Sequence, residues 1–592
     1  MIVPMKKVSV ITQAQDAGTT ISRLRRLGLL HVEHQQPPRG DDVASLQNDL
    51  SLVDACLRIL SEPEFLQRPP PEVKNTPGDW RFTARHIIDS HKRIDQLKEY
   101  SRNLSARIAE WQAWGDFEPQ AFQELAQKNI FVRFYQIPLK EVKHIPSSVI
   151  VKNIRVIKGV AYCAVVSREK VEIPFKEIPL PKMSLSRMES RLVEDGRVTE
   201  AIRADIKKHS CLLDCFFDIR RSLAKELEFH EALRGMGGSE AIKYVTGYIP
   251  DDAADKVLSL AREEKWGILV ADPSAEDQVP TLLRNPAWVS LIKPVFKLIE
   301  VVPGYHELDI SLWFLLFLSA FFGILIGDAG YGLIYILLTF WAHCKFGNKV
   351  KEKSVFILSY ILSACAIIWG VCTMTIFGQE WLRAYSIKPF IPALTDDKQM
   401  RSLCFLIGAM HLTIAHIWRV MVQIPAITAL ADVGWILILW AAFFLARLLI
   451  LGIQFPAFGL WLLIPGMVLV VFFSNPRKNV LRGAGAGLGT LALNLMNNFT
   501  DIVSYIRLFA VGLATVALAD AFNVMAQSLG VGGVIGGVIR SLILIAGHGL
   551  NIILGPMSVL VHGVRLNVLE FCTHLDVKWS GFAYKPLQEE AV

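Results

Sequence analysis

Apolar positions are spread unevenly along this chain, and their period changes from segment to segment. Between Lys7 and Thr12 they alternate with polar ones, the two-residue period of a half-buried strand. Residues 22–30 carry a helical period that closes near Gly28, and 30–32 predict a return strand, together a small βαβ unit. Pro69-Pro70-Pro71 breaks the next helical stretch, and a long helix is predicted from about Ala84. Along it Ile87, Ile94, Leu97, Leu104, Ile108 and Trp111 fall on a or d positions of a heptad. Residues 129–166 hold β-rich runs, Ile130-Phe131-Val132 and 162–166, and predict a separate globule. A second long helix follows Pro181, where Ile202, Ile206, Leu213, Phe216, Leu223 and Leu227 keep a four-and-three spacing interrupted by His209 and Arg220. Two heptad helices flanking a globule predict an antiparallel coiled-coil hairpin with the globule at its tip; the alternative is a compact α/β domain. Residues 244–271 predict a further strand-helix-strand. The expected polar half is thus a proximal α/β lobe (1–40 and 241–306), a coiled-coil hairpin (41–128 and 181–240) and a distal globule (129–180), a rod rather than a pocket.

From Glu307 the pattern becomes apolar. A perpendicular crossing of a bilayer needs about 20 apolar residues, and eight spans are expected: 310–326, 331–344, 355–377, 403–422, 434–451, 458–473, 487–525 and 534–571. The first two form either a tight hairpin or one kinked helix. The last two exceed a perpendicular crossing and are expected to tilt or extend beyond the lipid. The fold class is therefore mainly α: α/β lobes joined by a coiled-coil rod, then an eight-helix polytopic membrane domain (307–592) ending in two long tilted helices. Eight crossings put both termini on one side. With that side cytoplasmic, inner loops hold Lys345, Lys349, Lys351 and Lys353, and Arg477, Lys478 and Arg482; the largest outer loop has Arg383, Lys388 and Lys398. The bias is positive-inside, with Arg447 against it.

Composition agrees. Of 592 residues 52% are hydrophobic and 20% charged, below the roughly 25% of soluble domains. Of the 117 Asp, Glu, Lys and Arg residues, 85 precede Glu307. Disorder, a collagen-like chain and a small disulfide scaffold are excluded. The net charge of +7 comes from basic residues interleaved with acids, without a zinc-finger or RNP pattern, so no nucleic acid is expected. The nine cysteines lack CxxC spacing, and Cys211 and Cys215 read as idle thiols, so no metal is expected. No signal-peptide pattern opens the chain, consistent with a cytoplasmic polar half. No G-x-x-x-x-G-K-[ST] loop occurs, and no cofactor or direct nucleotide binding is expected.

Charge inside a bilayer costs a few kcal/mol or more and needs a reason. In the penultimate span Thr490, Asn494, Asn497, Asp501, Ser504 and Arg507 recur at steps of three and four, one polar helical face. Beyond Arg507 the same side continues as Ala510, Ala514, Ala517 and Ala521, small enough to admit a close neighbour. The last span carries His548, Asn551, Gly555, Ser558, His562 and Arg565 at the same spacing. With the expected topology the first stripe runs from the cytoplasmic end to Arg507 and the second lies outside Arg565: two aqueous half-channels open to opposite faces and interrupted by arginines. An arginine does not readily release its proton, and it favours the ionised form of a carboxylate within about 4–6 Å. Asp501 and Asp520 are poorly placed along the helix to be that carboxylate, so a partner subunit is expected to supply it. The bland account of both stripes is hydrogen-bonding glue between helices. Asp328, in a glycine-rich break, reads as a buried helix cap. His411 is a candidate channel-side residue; His416, five residues on, does not share its face.

Three motifs resemble one family. Residues 321–332 (FFGILIGDAGYG) are similar to the first-hairpin signature of the membrane stator subunit a, or I, of rotary V/A-type ATPases. Residues 504–510 (SYIRLFA) are similar to its arginine motif, and 562–566 (HGVRL) with Glu570-Phe571 to its last helix. Residues 582–586 resemble its tail. The resemblance implies an ion-translocating stator of a V-type or A-type ATP synthase, in which Arg507 and Arg565 face a ring of proteolipid c subunits and couple H⁺ or Na⁺ transport to ATP chemistry on a separate soluble sector. It implies peripheral-stalk (E/G-type) subunits on the rod, a central-rotor subunit at the membrane face, and an inner-membrane location with a cytoplasmic C-terminus. Where the family often carries a glutamate before the first arginine this chain has Leu493 and Asn494, leaving Asp501; ten residues before the second it has Gly555. The competing readings are a secondary transporter with a cytoplasmic regulatory domain, which would need an intramembrane acid and broken repeats, and a membrane-tethered scaffold.

Overall fold

The computed structural model describes residues 1–66, 78–142, 149–157, 159–169, 173–175, 177–350, 352–379, 391–476, 480–530 and 533–589. Pro69-Pro70-Pro71 and the loop charges Lys351, Arg383, Lys388, Arg477 and Lys478 lie outside them. The chain divides into two compact units: Met1–Ile11, Leu24–Val32 and Thr246–Val592, and Thr12–Arg23 with Glu33–Val245.

In the second unit, amphipathic helices bury one stripe each. Asp41–Leu60 packs on Leu213–Arg234, and Trp80–Trp111 packs on Leu185–Lys208. Their shared core holds Val53, Leu60, Ile87, Ile94, Ile206 and Phe216, the residues that three-and-four spacing puts on one side of a helix. The Asp79 carboxylate starts the Trp80–Trp111 helix by accepting from the Arg81 and Phe82 amides at 3.0 and 3.2 Å. The helical run after Pro181 is interrupted at His209–Leu212 by a 3₁₀ turn, and exposed Arg220 pairs with Asp54 at 2.5 Å. Phe131–Pro138, Ile150–Ile157, Val160–Ser167 and Glu177–Ile178 form a four-stranded antiparallel sheet, next to an aromatic cluster of Trp111, Trp114, Phe117, Phe122 and Phe134.

Met5–Gln13 alternates as expected, and its Lys7–Ile11 stretch, which belongs to the first unit, pairs antiparallel with Gly267–Ala271. The helix Ala17–Leu27 ends at Gly28 (φ +66°), a conformation that glycine adopts without steric cost. Ile242–Pro250, Ala254–Glu263 and Gly267–Ala271 form the anticipated strand-helix-strand. The C-terminal tail returns to this lobe. The Thr281 amide donates to Phe582 O (2.8 Å), Tyr584 N to Thr281 O (3.0 Å) and Leu587 N to Leu30 O (2.9 Å).

The rest of this unit is helical. Among the described residues five helical runs are long and apolar enough to cross a membrane: Ser354–Thr373, Asp397–Gln423, Ala429–Leu451, Ala484–Ser528 and Gly533–Leu575. Ser311–Ile326 and Phe458–Phe473 are apolar but shorter. The glycine break separates Ser311–Ile326 from Ala329–Phe346, so the hairpin alternative describes this segment. Gly327 closes the first helix at φ +66°, and buried Asp328 caps the second. Close approaches hold the bundle: a Cβ on Gly323 would stand 2.8 Å from Cys365 O, and one on Gly512 2.6 Å from Ile324 O. Phe314, Phe321, Phe405, Leu412, Leu508 and Phe571 fill its core.

Candidate functional site

The arginine helix runs Val480–Ser504, tightens at Tyr505 (φ −69°, ψ −11°), whose amide donates to Ile502 O at 3.2 Å, and continues as Ile506–Ser528. Arg507 thus sits in the first turn of a new segment, its Nε donating to Ser504 O at 3.2 Å. The last helix also departs from α geometry. After Pro556 it continues as π-helical turns over Val559–Gly563 and Leu566–Phe571. A π turn bonds residues five apart, so the three-and-four stripe of the sequence is interrupted between Ser558 and Arg565. In exchange, Arg565 and Glu570, five apart, come to one side.

That local geometry builds the site. The Nη2 of Arg507 donates to Glu570 Oε1 at 2.7 Å, and the Nε of Arg565 lies 3.7 Å from the same oxygen. The Glu570 side chain is 5% exposed, against 23% for Arg507 and 53% for Arg565. The sequence reading weighed Asp501 and Asp520 against Arg507 and did not single out Glu570, because it compared positions along one straight helix, whereas this acid is delivered from a second helix by π turns.

On one side of Arg507 the polar stripe opens into a cavity of about 270 Å³ lined by Asn494, Asn497, Asn498, Asp501, His416 and His574. Its wall is a continuous polar chain. Asp501 Oδ2 lies 3.1 Å from His574 Nε2, His574 Nδ1 lies 2.9 Å from His416 Nε2, and His416 Nδ1 lies 3.1 Å from Asp432 Oδ1. Arg419 flanks Asp432 at 3.4 Å. Thr490 is hydrogen-bonded to Asn475, farther along the helix. The sequence reading set His416 aside and did not single out Asp432 or His574, because their convergence is tertiary: each comes from a different segment.

The second stripe lies against the hairpin. Tyr331 Oη is 2.6 Å from His548 Nδ1, and His548 Nε2 is 3.2 Å from Asn523 Oδ1. Buried Asn551 donates to Thr515 O at 2.9 Å. A Cβ on Gly555 would stand 2.7 Å from Ile326 Cδ1 and 2.8 Å from Tyr335 Oη, the outer ends of two side chains that would have to shift to admit it. Ser558 and His562 are half-buried, and His562 Nδ1 has no hydrogen-bond partner among the described residues. Asp328 is fully buried; its Oδ1 accepts from Gly330 N (2.7 Å) and Tyr331 N (3.2 Å), its Oδ2 from Gly378 N (2.7 Å). A cavity of about 130 Å³ lies nearby, lined by Gly327, Thr373, Thr375, Asp397, Leu508 and Gly512 among others.

His411 occupies an aromatic box instead of either cavity. Its ring stacks on Phe317 at 3.8 Å and on Phe571 at 4.3 Å, and its Nδ1 is 2.8 Å from Tyr505 Oη. Beyond Arg507, Ala510, Ala514, Ala517 and Ala521 are all exposed. Among the described residues no cluster of His, Cys, Asp and Glu is arranged to hold a metal ion.

No protein-family model matches the chain. It is 29% identical over 616 residues to the V-type ATP synthase subunit I of Borreliella burgdorferi, covering 100% of both chains. To the V-type ATP synthase subunit I 1 of Treponema pallidum it is 29% identical over 635 residues, again covering 100% of both. The A-type ATP synthase subunit I of Methanocaldococcus jannaschii is 26% identical over 440 residues, 66% of this chain and 62% of that one. A crystal structure of the cytoplasmic N-terminal domain of subunit I, homolog of subunit a, of V-ATPase aligns with 45% of this chain and 99% of that one at 15% identity. Its TM-score of 0.22 is too low to carry a comparison of folds. Similar from end to end to two of these proteins and built on several membrane-spanning helices, the chain is a homologue of the V-type and A-type ATP synthase subunit I proteins, a multi-pass membrane subunit of the rotary-ATPase class.

Proposed function

We propose that this chain is the ion-translocating stator of a V-type or A-type rotary ATPase, with Arg507 and Arg565 set against the carboxylates of a rotating c-ring. The observation that carries the reading is the convergence of both arginines, from two different helices, at one place beside a polar cavity and an uncovered strip of alanines. Two guanidiniums that stay charged form a barrier to a proton wire. A ring carboxylate passing them ionises and releases its ion to one side; on moving past them it takes an ion from the other. In this reading the inner half-channel is the cavity reached through Asn494, Asn497, Asp501 and Ser504, and the outer one follows His548, Asn551, Ser558 and His562. His411, boxed by aromatic rings beside Tyr505, steadies the turn before Arg507.

The reading extends to the whole chain. Residues 1–306 serve as a cytoplasmic stator arm that peripheral-stalk (E/G-type) subunits grip through its paired helices, and a central-rotor subunit turns at the membrane face. Residues 307–592 cross the membrane eight times, counting the short apolar helices and the hairpin. An even number of crossings is supported by the C-terminal tail's return to the lobe built from the chain's first strand. Positive inner loops favour that lobe on the cytoplasmic side of a cell's inner membrane.

The test is ATP-driven acidification of membrane vesicles carrying Arg507→Ala. Loss of pumping while proteolipid and ATPase subunits still co-purify with the chain is the expected result; undiminished pumping overturns the proposal. Running the assay with and without sodium and an uncoupler distinguishes H⁺ from Na⁺ as the transported ion.

A further inference from the structure

Glu570 has no part in the scheme above, yet it is the acid nearest both arginines. One of its oxygens serves two guanidiniums, at 2.7 Å from Arg507 and 3.7 Å from Arg565. The other, buried, has no hydrogen-bond partner among the described residues. The order of exposure is informative: the carboxylate is buried behind, and both cations reach further toward the open side. Two arginines and one glutamate leave a surplus of a single positive charge, which matches one arriving carboxylate. Among the described residues the other ionisable groups facing Glu570 are Asp501 and Tyr505, from the segments just before Arg507. Asp501 is engaged with His574 and the Tyr505 hydroxyl with His411, so neither substitutes for Glu570.

Resting on the rotary reading, we propose that Glu570 is a resident counter-ion: it holds Arg507 and Arg565 together when no ring carboxylate is present and limits the pair to binding one carboxylate at a time. Removing its charge leaves two uncompensated guanidiniums facing the ring. A ring carboxylate is then held ionised more firmly and regains its proton less readily.

The experiment compares Arg507→Ala, Glu570→Gln and Glu570→Asp in complexes assembled in membrane vesicles, following the rate of ATP-driven pumping and its pH profile. Glu570→Gln is expected to slow pumping about tenfold and to move the profile acidward by about one pH unit, the size of effect one nearby charge exerts on a carboxylate. Glu570→Asp is expected to bring the profile back. Should Glu570→Gln fail to assemble, the double variant Glu570→Gln/Arg565→Gln restores the single surplus charge, and its profile is expected at the wild-type position whatever its rate. Assembled Glu570→Gln complexes with an unmoved profile overturn the inference, as does failure of both Gln-bearing complexes to assemble. If Arg507→Ala pumps normally the rotary reading itself falls; if Arg507→Ala is inactive and the Glu570→Gln profile stays in place, only the role of Glu570 is lost.

Discussion

Single side chains here settle which backbone groups can be buried. Asp328 satisfies three amides, from Gly330, Tyr331 and Gly378, at the point where glycines break the first hairpin. Each buried amide left without an acceptor costs about 1–3 kcal/mol. Asp328→Ala is therefore expected to lower the thermal stability of the purified chain in detergent strongly, and Asp328→Asn, which keeps an acceptor oxygen, less so. Equal losses would mean that the carboxylate's charge, and not its hydrogen bonding, sets the stability. The capping role was the reading the sequence favoured, since an aspartate at a glycine-rich break stands where the next helix begins. Glu570 was not readable in the same way: five residues from Arg565, it falls off the α-helical face, and only the π turns bring the two together.

At the scale of whole helices, periodicity located most elements and misjudged their continuity. The heptad residues Ile87, Ile94, Leu97, Leu104 and Trp111 are buried, because a three-and-four pattern encodes which side of a helix turns inward. Breaks are a different matter. The sequence marked the interruption at His209, where the 3₁₀ turn His209–Leu212 falls; the turn at Tyr505 and the π turns after Pro556 lie in spans whose three-and-four spacing does not mark them. The same limit hid the Asp432–His416–His574–Asp501 chain, whose members lie on separate segments. Where the arginine helix meets Ser311–Ile326, Gly512 leaves no space: a methyl group there would stand 2.6 Å from the Ile324 carbonyl. Gly512→Ala is expected to cost about 1–3 kcal/mol, the usual range for overpacking, seen as a lower melting temperature in detergent. Gly537→Ala, with nothing within 4 Å of its Cβ, is the control and is expected to melt as the wild type does.

For the first unit taken whole, the two ends of the sequence are stitched together. Residues 582–587 add backbone hydrogen bonds to Thr281 and Leu30, and His31 Nδ1 lies 2.9 Å from Lys585 O. Ending the chain after Ser580 is expected to raise amide hydrogen exchange at Thr281 and along His31–Glu33, with exchange in the membrane helices unchanged. Spread of the increase into the Ser311–Ile326 helix would show that the tail braces the bundle as well as the lobe. This closure was not evident from the sequence, since hydrophobic pattern reports which face is covered and is silent about which distant segment covers it.

The run of Ala510, Ala514, Ala517 and Ala521 has a mechanical consequence. Methyl-sized groups provide no teeth to mesh, so a helix pressed against that strip finds almost the same contact energy at every offset along it. On the rotary reading proposed above, ionic attraction at the guanidiniums, more than steric fit along this strip, sets where each step of the rotor ends.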